Sequence, residues 1–367
     1  MRKKRSCFVT ILLLFICINF NLSAQFHDSK KGGGVPDKQL SQKDNDYLDR
    51  QAKVFLDSVQ SILFKYPPTI NEHRERDFAK LLMDAVFHEH YAAFRKPTQE
   101  FFQARIDNLI KELENTEVKE GARIWKLYNM GFIVRTESVT LAFDFASGIT
   151  SGSEDFAMGT EQIDRIVKQC DALFITHRHE DHGEKRIAER FIESGLPVFA
   201  PKQIWKNDEI QKNIINPERV IEKHQHFKVN GKNLDIIVYP GHQMEGIDCN
   251  VYLIKTPEGI TVSHLGDQIN ENGFMIDYEW IDKVKENHQV DIMMPSGWTM
   301  DIFRIVKGFD PELVLPSHEL ELGHTVWDRL PFWGDDAYLE LTYADLKASD
   351  YSVVVMLWGE SFHYSKK

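Results

Sequence analysis

Three histidines and two acidic residues are concentrated in residues 174–183, which read FITHRHEDHG. His177 and His179 alternate in a segment expected to be extended, so both rings can approach one metal ion from the same side. Asp181 and His182 follow directly and offer ligands to a second ion beside the first. Imidazole and carboxylate groups suit several divalent cations. The stretch therefore predicts ligands for two adjacent metal ions.

Three more candidate ligands follow later apolar runs that we predict to be strands. Each run stops at a small or turn-forming residue, and a ligand-type residue comes next: His242 in PGH, Asp267 in GD and His318 in SH. Loops at one end of the strands build the sites of α/β folds, because rigid strands fix the side chains at their ends. We therefore expect these strand ends to converge with the one before His177.

The converging residues predict hydrolytic chemistry. His242 would add a third imidazole to the first ion, which is the ligand number of an open catalytic zinc site. Asp267 can bridge, because the two oxygens of a carboxylate can hold two cations roughly 3.5 to 4 Å apart, and His318 would complete the second ligand set. The ions would share a hydroxide, since a cation lowers the pKa of bound water toward ~7. Asp181 is also predicted to orient this hydroxide.

Two further residues have more than one interpretation. His324, in ELGHTVW, is predicted to contact the substrate or to protonate a leaving group, and the alternative is a surface loop histidine. Asp144 ends the early run LAFDF. It can orient a metal-ligating histidine through the ring nitrogen that the metal leaves free, or it can be an ordinary turn carboxylate. The sequence leaves both questions open.

The motifs THRHEDH, PGH, GD and SH, in this order along the chain, resemble those of the metallo-β-lactamase-fold hydrolases. The resemblance covers about residues 123–367 and implies an α/β fold, an αββα sandwich with the metals at one edge. It is nearest to the branch with ascorbate-6-phosphate lactonase-like and N-acyl-phosphatidylethanolamine phospholipase D-like proteins. Carried over by position, it implies His177, His179 and His242 on the first metal, Asp181, His182 and His318 on the second, and Asp267 between them.

A helical accessory region, residues 39–120, is predicted before a catalytic domain at 121–367. Apolar residues there recur every three to four positions in three stretches, which indicates three amphipathic helices. In the second helix this spacing predicts a buried face of Phe78, Leu81, Leu82, Ala85 and Val86. The resemblance gives this region no counterpart in the core fold, so we expect an N-terminal helical extension.

After Gly121 the pattern changes to short β-rich runs that alternate with helical patterns. Amphipathic helices are expected at 161–170, 184–193 and 335–346, and a final apolar strand at 351–358. Such alternation argues for an α/β domain whose sheets are covered by helices.

The first 24 residues, MRKKRSCFVTILLLFICINFNLSA, combine basic residues, a short apolar run and small residues near the end. This pattern is typical of a secretory signal peptide, and the glycine-rich residues 25–38 that follow predict a flexible linker. The apolar run is shorter than the ~18 to 20 residues needed to span a bilayer. We therefore expect an exported protein, periplasmic or extracellular, with no transmembrane span after cleavage.

The composition of the chain limits the classes of binding partner that we expect. Acidic residues (56) exceed basic ones (44), and no lysine- and arginine-rich patch with interleaved aromatics appears, so nucleic acid is a poor electrostatic partner. We expect a small-molecule or lipid-like substrate with an ester-type bond, either a lactone or other carboxylic ester or a phosphodiester. Two divalent ions are expected, with zinc first and manganese or iron as alternatives. The oligomeric state is not predicted.

The second class of function is non-hydrolytic. The same ligands can hold iron in a redox protein, and a degenerate site on the same fold can act as a non-catalytic binding module.

Two cysteines, Cys170 and Cys249, remain once the signal is removed. They can either form a disulfide or stay as buried free thiols.

Overall fold

The computed structural model describes residues 40–87, 91–268, 272–297, 299, 301–318, 322 and 349–366. These residues lie in one compact unit, Leu40–Lys367. The predicted signal peptide, the linker, the helix at 335–346 and His324 lie outside the described residues. Within the described part of the chain, no helix is both long enough and apolar enough to cross a bilayer.

The predicted helical region forms three long helices: α1 at Gln42–Lys65, α2 at Arg74–Phe87 and α3 at Lys96–Asn115. A capping box begins α1, in which Ser41 and Asp44 satisfy each other's backbone N–H groups. Most of the periodic apolar residues of α1 and α3 are buried, among them Leu56, Val59 and Leu109, whereas Phe55 and Ile62 are half-buried. The sequence prediction of three helices before Gly121 is therefore confirmed.

The predicted buried face of α2 is correct at Val86, which is buried, but wrong at Phe78 and Leu81. Phe78 is 52% and Leu81 61% exposed, and the buried side instead carries Arg76, Ala79 and Met83. Arg76 Nη1 and Nη2 donate to the two carboxylate oxygens of Glu360 at 2.8 and 2.7 Å. A buried charge must be paired, so this ion pair decides which side of the helix faces the core.

Thirteen strands are present in the described residues. In chain order they are Ala122–Lys126 (β1), Phe132–Arg135 (β2), Thr140–Phe143 (β3), Ala172–Phe174 (β4), Val198–Phe199 (β5), Ile214–Ile215 (β6), Gln225–Val229 (β7), Lys232–Met244 (β8), Ile247–Lys255 (β9), Thr261–His264 (β10), Ile292–Met294 (β11), Leu313–Val314 (β12) and Ser361–Tyr364 (β13). One sheet has the order β13-β1-β2-β3-β4-β5-β6 and the other β12-β11-β10-β9-β8-β7.

The two sheets pack face to face and are covered by helices on both outer sides. Phe143 and Val238 belong to the apolar cluster between the sheets. The outer side of the first sheet packs on α1 to α3 and on the shorter helices α4 (Thr160–Val167) and α5 (Lys185–Glu193). The outer side of the second sheet packs on α6 (Tyr278–Ile281), α7 (Val284–Asn287) and α8 (Ile302–Phe309). The predicted αββα sandwich is confirmed.

The N-terminal helices share a hydrophobic cluster with the first sheet. Phe102 of α3 stacks on Phe156 with ring centroids 4.3 Å apart and meets Tyr128 and Trp358 edge to face. All four rings are fully buried. The helical extension is thus packed against the sandwich through aromatic side chains, which contribute large buried areas.

Two predicted strand positions need correction. The strand before His242 does not end at Pro240: β8 continues to Met244. Pro240 is tolerated there because β7 pairs with β8 only as far as Ile236, so one side of β8 lacks a ladder partner at Pro240. Residues 351–358 do not form the predicted strand but carry one β-bridge, Val314 to Val353, and the closing strand is β13.

Candidate metal centre

The histidine-rich loop after β4 folds back on itself. The backbone N–H groups of His182 and Gly183 both donate to the carbonyl of His179, at 3.1 and 2.6 Å. This turn brings the rings of His177 and His182 to a centroid separation of 4.1 Å. A Cβ at position 183 would lie 2.7 Å from Ile204 Cδ1 and 3.0 Å from the His177 carbonyl. The tight turn that gathers the ligands therefore leaves little space for a side chain at position 183.

Five of the predicted ligands gather in two compact groups. His177, His182 and Asp267 form one, and Asp181, His182 and His318 form the other; within each group the candidate ligand atoms all lie within 4.8 Å of one another. His182 Nε2 is 3.0 Å from Asp181 Oδ2 and 3.3 Å from Asp267 Oδ2. The strand ends at β4, β10 and β12 thus converge as the sequence predicts.

Asp267 belongs to the first group and also faces His318 of the second. Its Oδ2 is 3.6 Å from His177 Nε2, and its Oδ1 is 3.3 Å from His318 Nε2. The carboxylate is 3% exposed. Its two oxygens therefore face different histidines, which is the placement expected of a bridging ligand.

The residues fit divalent cations. Among the described residues, His177 Nε2 is buried and makes no hydrogen bond, and the buried atoms His182 Nε2 and Asp267 Oδ1 lie 3.0 Å from Asp181 Oδ2 and 3.3 Å from His318 Nε2 without hydrogen-bond geometry. Buried polar atoms in folded proteins are nearly always bonded, and metal coordination supplies partners to imidazole nitrogens and carboxylate oxygens alike. This donor set suits zinc, iron and manganese.

Comparison with known proteins supports this view of the fold. No family model matches the chain. It is 25% identical over 195 residues to "Probable L-ascorbate-6-phosphate lactonase UlaG" of Escherichia fergusonii, covering 44% of this chain and 51% of that protein. To the Escherichia coli protein of the same name it is 23% identical over 278 residues, covering 60% and 75%. The chain thus spans about half the length of the first of these relatives.

The chain has a fold of the metallo-β-lactamase type. The two-sheet sandwich, the ordered motifs at its edge and the lactonase relatives agree on this point. Among solved structures, a metallo hydrolase from the hyperthermophilic archaeon Ignicoccus hospitalis is 22% identical and aligns with 67% of this chain and 99% of its own, at a TM-score of 0.45.

His179 and His242 lie outside the two compact groups of this metallo-β-lactamase-fold site. His179 is partly exposed, and its ring centroid is 4.8 Å from that of His177. His242 is placed by β8, and its Nδ1 lies 3.0 Å from Asp277 Oδ1. His324, which was predicted to contact the substrate or to protonate a leaving group, lies outside the described residues.

Asp144 is not merely a turn carboxylate, because it contacts the ring of His182. It is fully buried, and its Oδ2 lies 2.7 Å from His182 Nδ1. The same carboxylate accepts hydrogen bonds from the backbone N–H and the hydroxyl of Thr176, at 2.7 and 2.6 Å. Metal-ligating histidines commonly donate their second ring nitrogen to a carboxylate in this way.

Two amide side chains that sequence reasoning missed also contact the carboxylates of the centre. Asn129, at φ +47° in the turn after β1, donates from Nδ2 to Asp181 Oδ2 at 2.7 Å. Gln243 donates from Nε2 to Asp267 Oδ2 at 2.9 Å. Gln243 lies where the pairing of β8 with β9 shifts register, and such bulges redirect a side chain. The motif PGH predicts the neighbouring histidine but gives no signal for the bulge.

Burial and mutual charge set the protonation of the centre. Burial lowers the pKa of His177 to about 3, so its imidazole is neutral. Burial also opposes a charge on His182, but the carboxylates of Asp181, Asp267 and Asp144 outweigh it and hold the pKa of His182 well above its usual value. Burial would raise the pKa of Asp267, yet His182 and His318 outweigh it and hold that pKa well below the usual range. Apart from the neutral His177, the centre is thus a network of paired charges.

Proposed function

We propose that the chain is an exported dinuclear-metal hydrolase that cleaves an ester-type bond, with a lactone or related carboxylic ester as its substrate class. The observation that carries the proposal is the position of Asp267, whose two oxygens face histidines of two ligand groups. One carboxylate in that position can hold two cations together.

The proposed ligand sets follow the motifs. We assign His177, His179 and His242 to one ion, Asp181, His182 and His318 to the other, and Asp267 to both. Support comes from the compact groups around Asp267 and from the carboxylates that stand behind His182 and His242. Zinc is the proposed metal, and elemental analysis distinguishes it from manganese and iron.

The bound cations would supply Lewis acidity that lowers the pKa of water and polarises the substrate oxygen. The chain's own residues hold the geometry. Asn129 and Gln243 fix one oxygen each of Asp181 and Asp267, so neither carboxylate needs to reorganise when a substrate binds. The pKa of Asp181 lies well below its usual range: burial opposes this shift, but His182 outweighs it. Asp181 is therefore ionised at neutral pH, and its carboxylate can accept a hydrogen bond from a water molecule.

The surroundings favour a lactone or carboxylic ester over a dianionic phosphate substrate. Lys185 Nζ is 2.6 Å from Asp208 Oδ2, and Arg186 Nε is 3.0 Å from Glu184 Oε1. Both cations after the histidine loop therefore already have carboxylate partners. Arg178, in the loop itself, is exposed. Its guanidinium can therefore pair with a single negative charge on a substrate. The names of the lactonase relatives point to the same class, since a lactone is a cyclic carboxylic ester.

A substrate panel tests this function. Protein loaded with zinc is assayed against simple lactones, linear carboxylic esters and phosphodiesters. We expect hydrolysis of a lactone or ester that is lost in Asp267→Ala, whereas His224→Ala, at the other end of the second sheet, behaves like the wild type. Failure of protein carrying two metal equivalents to hydrolyse any member of the panel would contradict the proposal.

Export is proposed from the first 24 residues. Their basic start, apolar run and small residues are the features of a cleavable signal. Expression of the full chain in a Gram-negative host, followed by fractionation and N-terminal sequencing, should give periplasmic protein beginning at Gln25. Uncleaved protein confined to the cytoplasm would contradict this part of the proposal.

A further inference from the structure

Asp277 is a carboxylate, 2% exposed, that approaches His242 from the end of the short 3₁₀ helix Asn272–Asp277. Its two oxygens lie 3.0 and 3.1 Å from His242 Nδ1, and Oδ2 also accepts the backbone N–H of His242 at 3.0 Å. The side-chain amide of Gln268 donates to the same Oδ2. Because a buried carboxylate is strongly unfavourable without donors around it, these contacts fix Asp277 against His242.

The contact determines which ring nitrogen of His242 can serve as a ligand. When Nδ1–H donates to Asp277, the lone pair of the neutral imidazole is on Nε2. The His242 side chain is 30% exposed, whereas the Asp277 side chain behind it is 3% exposed. The pair repeats the arrangement of His182 and Asp144, whose Nδ1 to Oδ2 distance is 2.7 Å.

Gly241 leaves space for the contact between His242 and Asp277. A Cβ at position 241 would lie 1.6 Å from Gln268 Oε1 and 2.8 Å from Val251 Cγ2. Gln268 directly follows Asp267, so its amide links the chain at the bridging carboxylate to Asp277. The glycine before His242 therefore has a steric reason: a side chain there would push away the amide that holds Asp277.

We propose that Asp277 is a positioning residue that holds the His242 ring with Nε2 available to the first metal ion. Asp144 has the same role for His182, so each ligand set has its own buried carboxylate. The inference rests on the proposed function in one respect, since it takes His242 to be a metal ligand. Loss of such a partner commonly lowers metal affinity 10- to 100-fold.

Metal titration tests the inference without any substrate. Metal-free wild type, Asp277→Asn and Asp291→Asn are titrated with Zn²⁺ and, for its absorption spectrum, with Co²⁺. Asp291 is the matched control because it is also fully buried and accepts three donors, Thr261 N, Tyr364 Oη and Lys366 Nζ, at 2.7, 3.0 and 3.0 Å. Asp277→Glu, which restores a carboxylate, should bind metal more tightly than Asp277→Asn.

We expect Asp277→Asn to bind one of two equivalents about 10- to 100-fold more weakly, with a changed cobalt spectrum, and Asp291→Asn to bind both as the wild type does. Wild-type affinity and spectrum in folded Asp277→Asn would overturn the inference.

A second measurement needs no Asp277 variant. Long-range ¹H–¹⁵N spectra are recorded of metal-free wild type with labelled histidines, and the His242 signals are assigned with His242→Gln. The spectra should show His242 protonated at Nδ1, and protonation at Nε2 would overturn the inference. Wild type that binds two equivalents but hydrolyses nothing contradicts the proposed function alone.

Discussion

Asp144 Oδ2 accepts a hydrogen bond from the Thr176 hydroxyl at 2.6 Å, on the same carboxylate that lies 2.7 Å from His182 Nδ1. Thr176 lies just after β4 and His182 lies near the end of the loop, so one buried carboxylate joins both ends of the histidine-rich segment. Asp144, which directly follows β3, thus holds the histidine-rich segment in place independently of any metal.

Replacement of Asp144 by asparagine should weaken both the fold and the metal site. The asparagine side chain carries an NH₂ donor, whereas the Asp144 carboxylate now accepts from Thr176 N, Thr176 Oγ1 and His182 Nδ1. At least one of these buried donors therefore loses its acceptor. We expect the free energy of unfolding to fall by about 1–3 kcal/mol and metal affinity to fall about 10- to 100-fold. Denaturant unfolding and zinc titration measure the two effects. Asp164→Asn, which removes a half-exposed surface partner of Arg190, should change stability by less than about 1 kcal/mol, and equal effects in both variants would contradict the assignment.

Removal of the His179 side chain should abolish hydrolysis while the fold persists. His179 is partly exposed and contacts His177 mainly through its ring, so we expect a loss of stability below about 1 kcal/mol. Turnover and thermal unfolding of His179→Ala are compared with those of His224→Ala, whose half-exposed ring bonds Asp235 at 2.8 Å. Undiminished turnover in His179→Ala would exclude it as a ligand.

Glu360→Gln should destabilise the whole unit, because the fully buried Arg76 would lose its bidentate partner and keep the Glu72 carboxylate, 3.1 Å from its Nε. Breaking a buried pair from one side costs up to about 3–5 kcal/mol, and the remaining contact with Glu72 reduces this loss. Urea unfolding should show this loss in a single transition if the helices and the sandwich unfold together. The control is Glu114→Gln, which removes a surface partner of Arg165. A loss no larger than that of the control would show that the Arg76 pair is unimportant.

Cys170 and Cys249 are both free and buried. Burial raises the pKa of each thiol above its ordinary value, and the thiolate is the reactive form. Mature protein treated with Ellman's reagent at neutral pH should therefore show no reactive thiol until denaturant is added, after which two react. Rapid modification of the native protein would contradict the burial of these side chains.

The parts of the centre that the sequence predicted are those that local order encodes. His177, Asp267 and His318 each follow an apolar run, and a strand end places the next side chain reproducibly at the sheet edge. His242 was predicted for the wrong structural reason, since it lies within β8 rather than after it.

The remaining features depend on contacts between residues distant in the chain. Asn129 and Asp277 reach the centre through tertiary packing, and neither has a spacing that marks it. The buried side of α2 was mispredicted because Arg76 pairs with a glutamate 284 residues away. Apolar periodicity carries no information about an ion pair of that kind.

Metal content tests the central claim most directly. Protein purified without added metal, as wild type and as Asp267→Ala, is analysed for zinc, manganese and iron per chain. We predict two equivalents of zinc in the wild type, which would also exclude the redox alternative, and at most one in Asp267→Ala. Wild-type protein that takes up no divalent metal, or Asp267→Ala that retains two equivalents, would contradict the account.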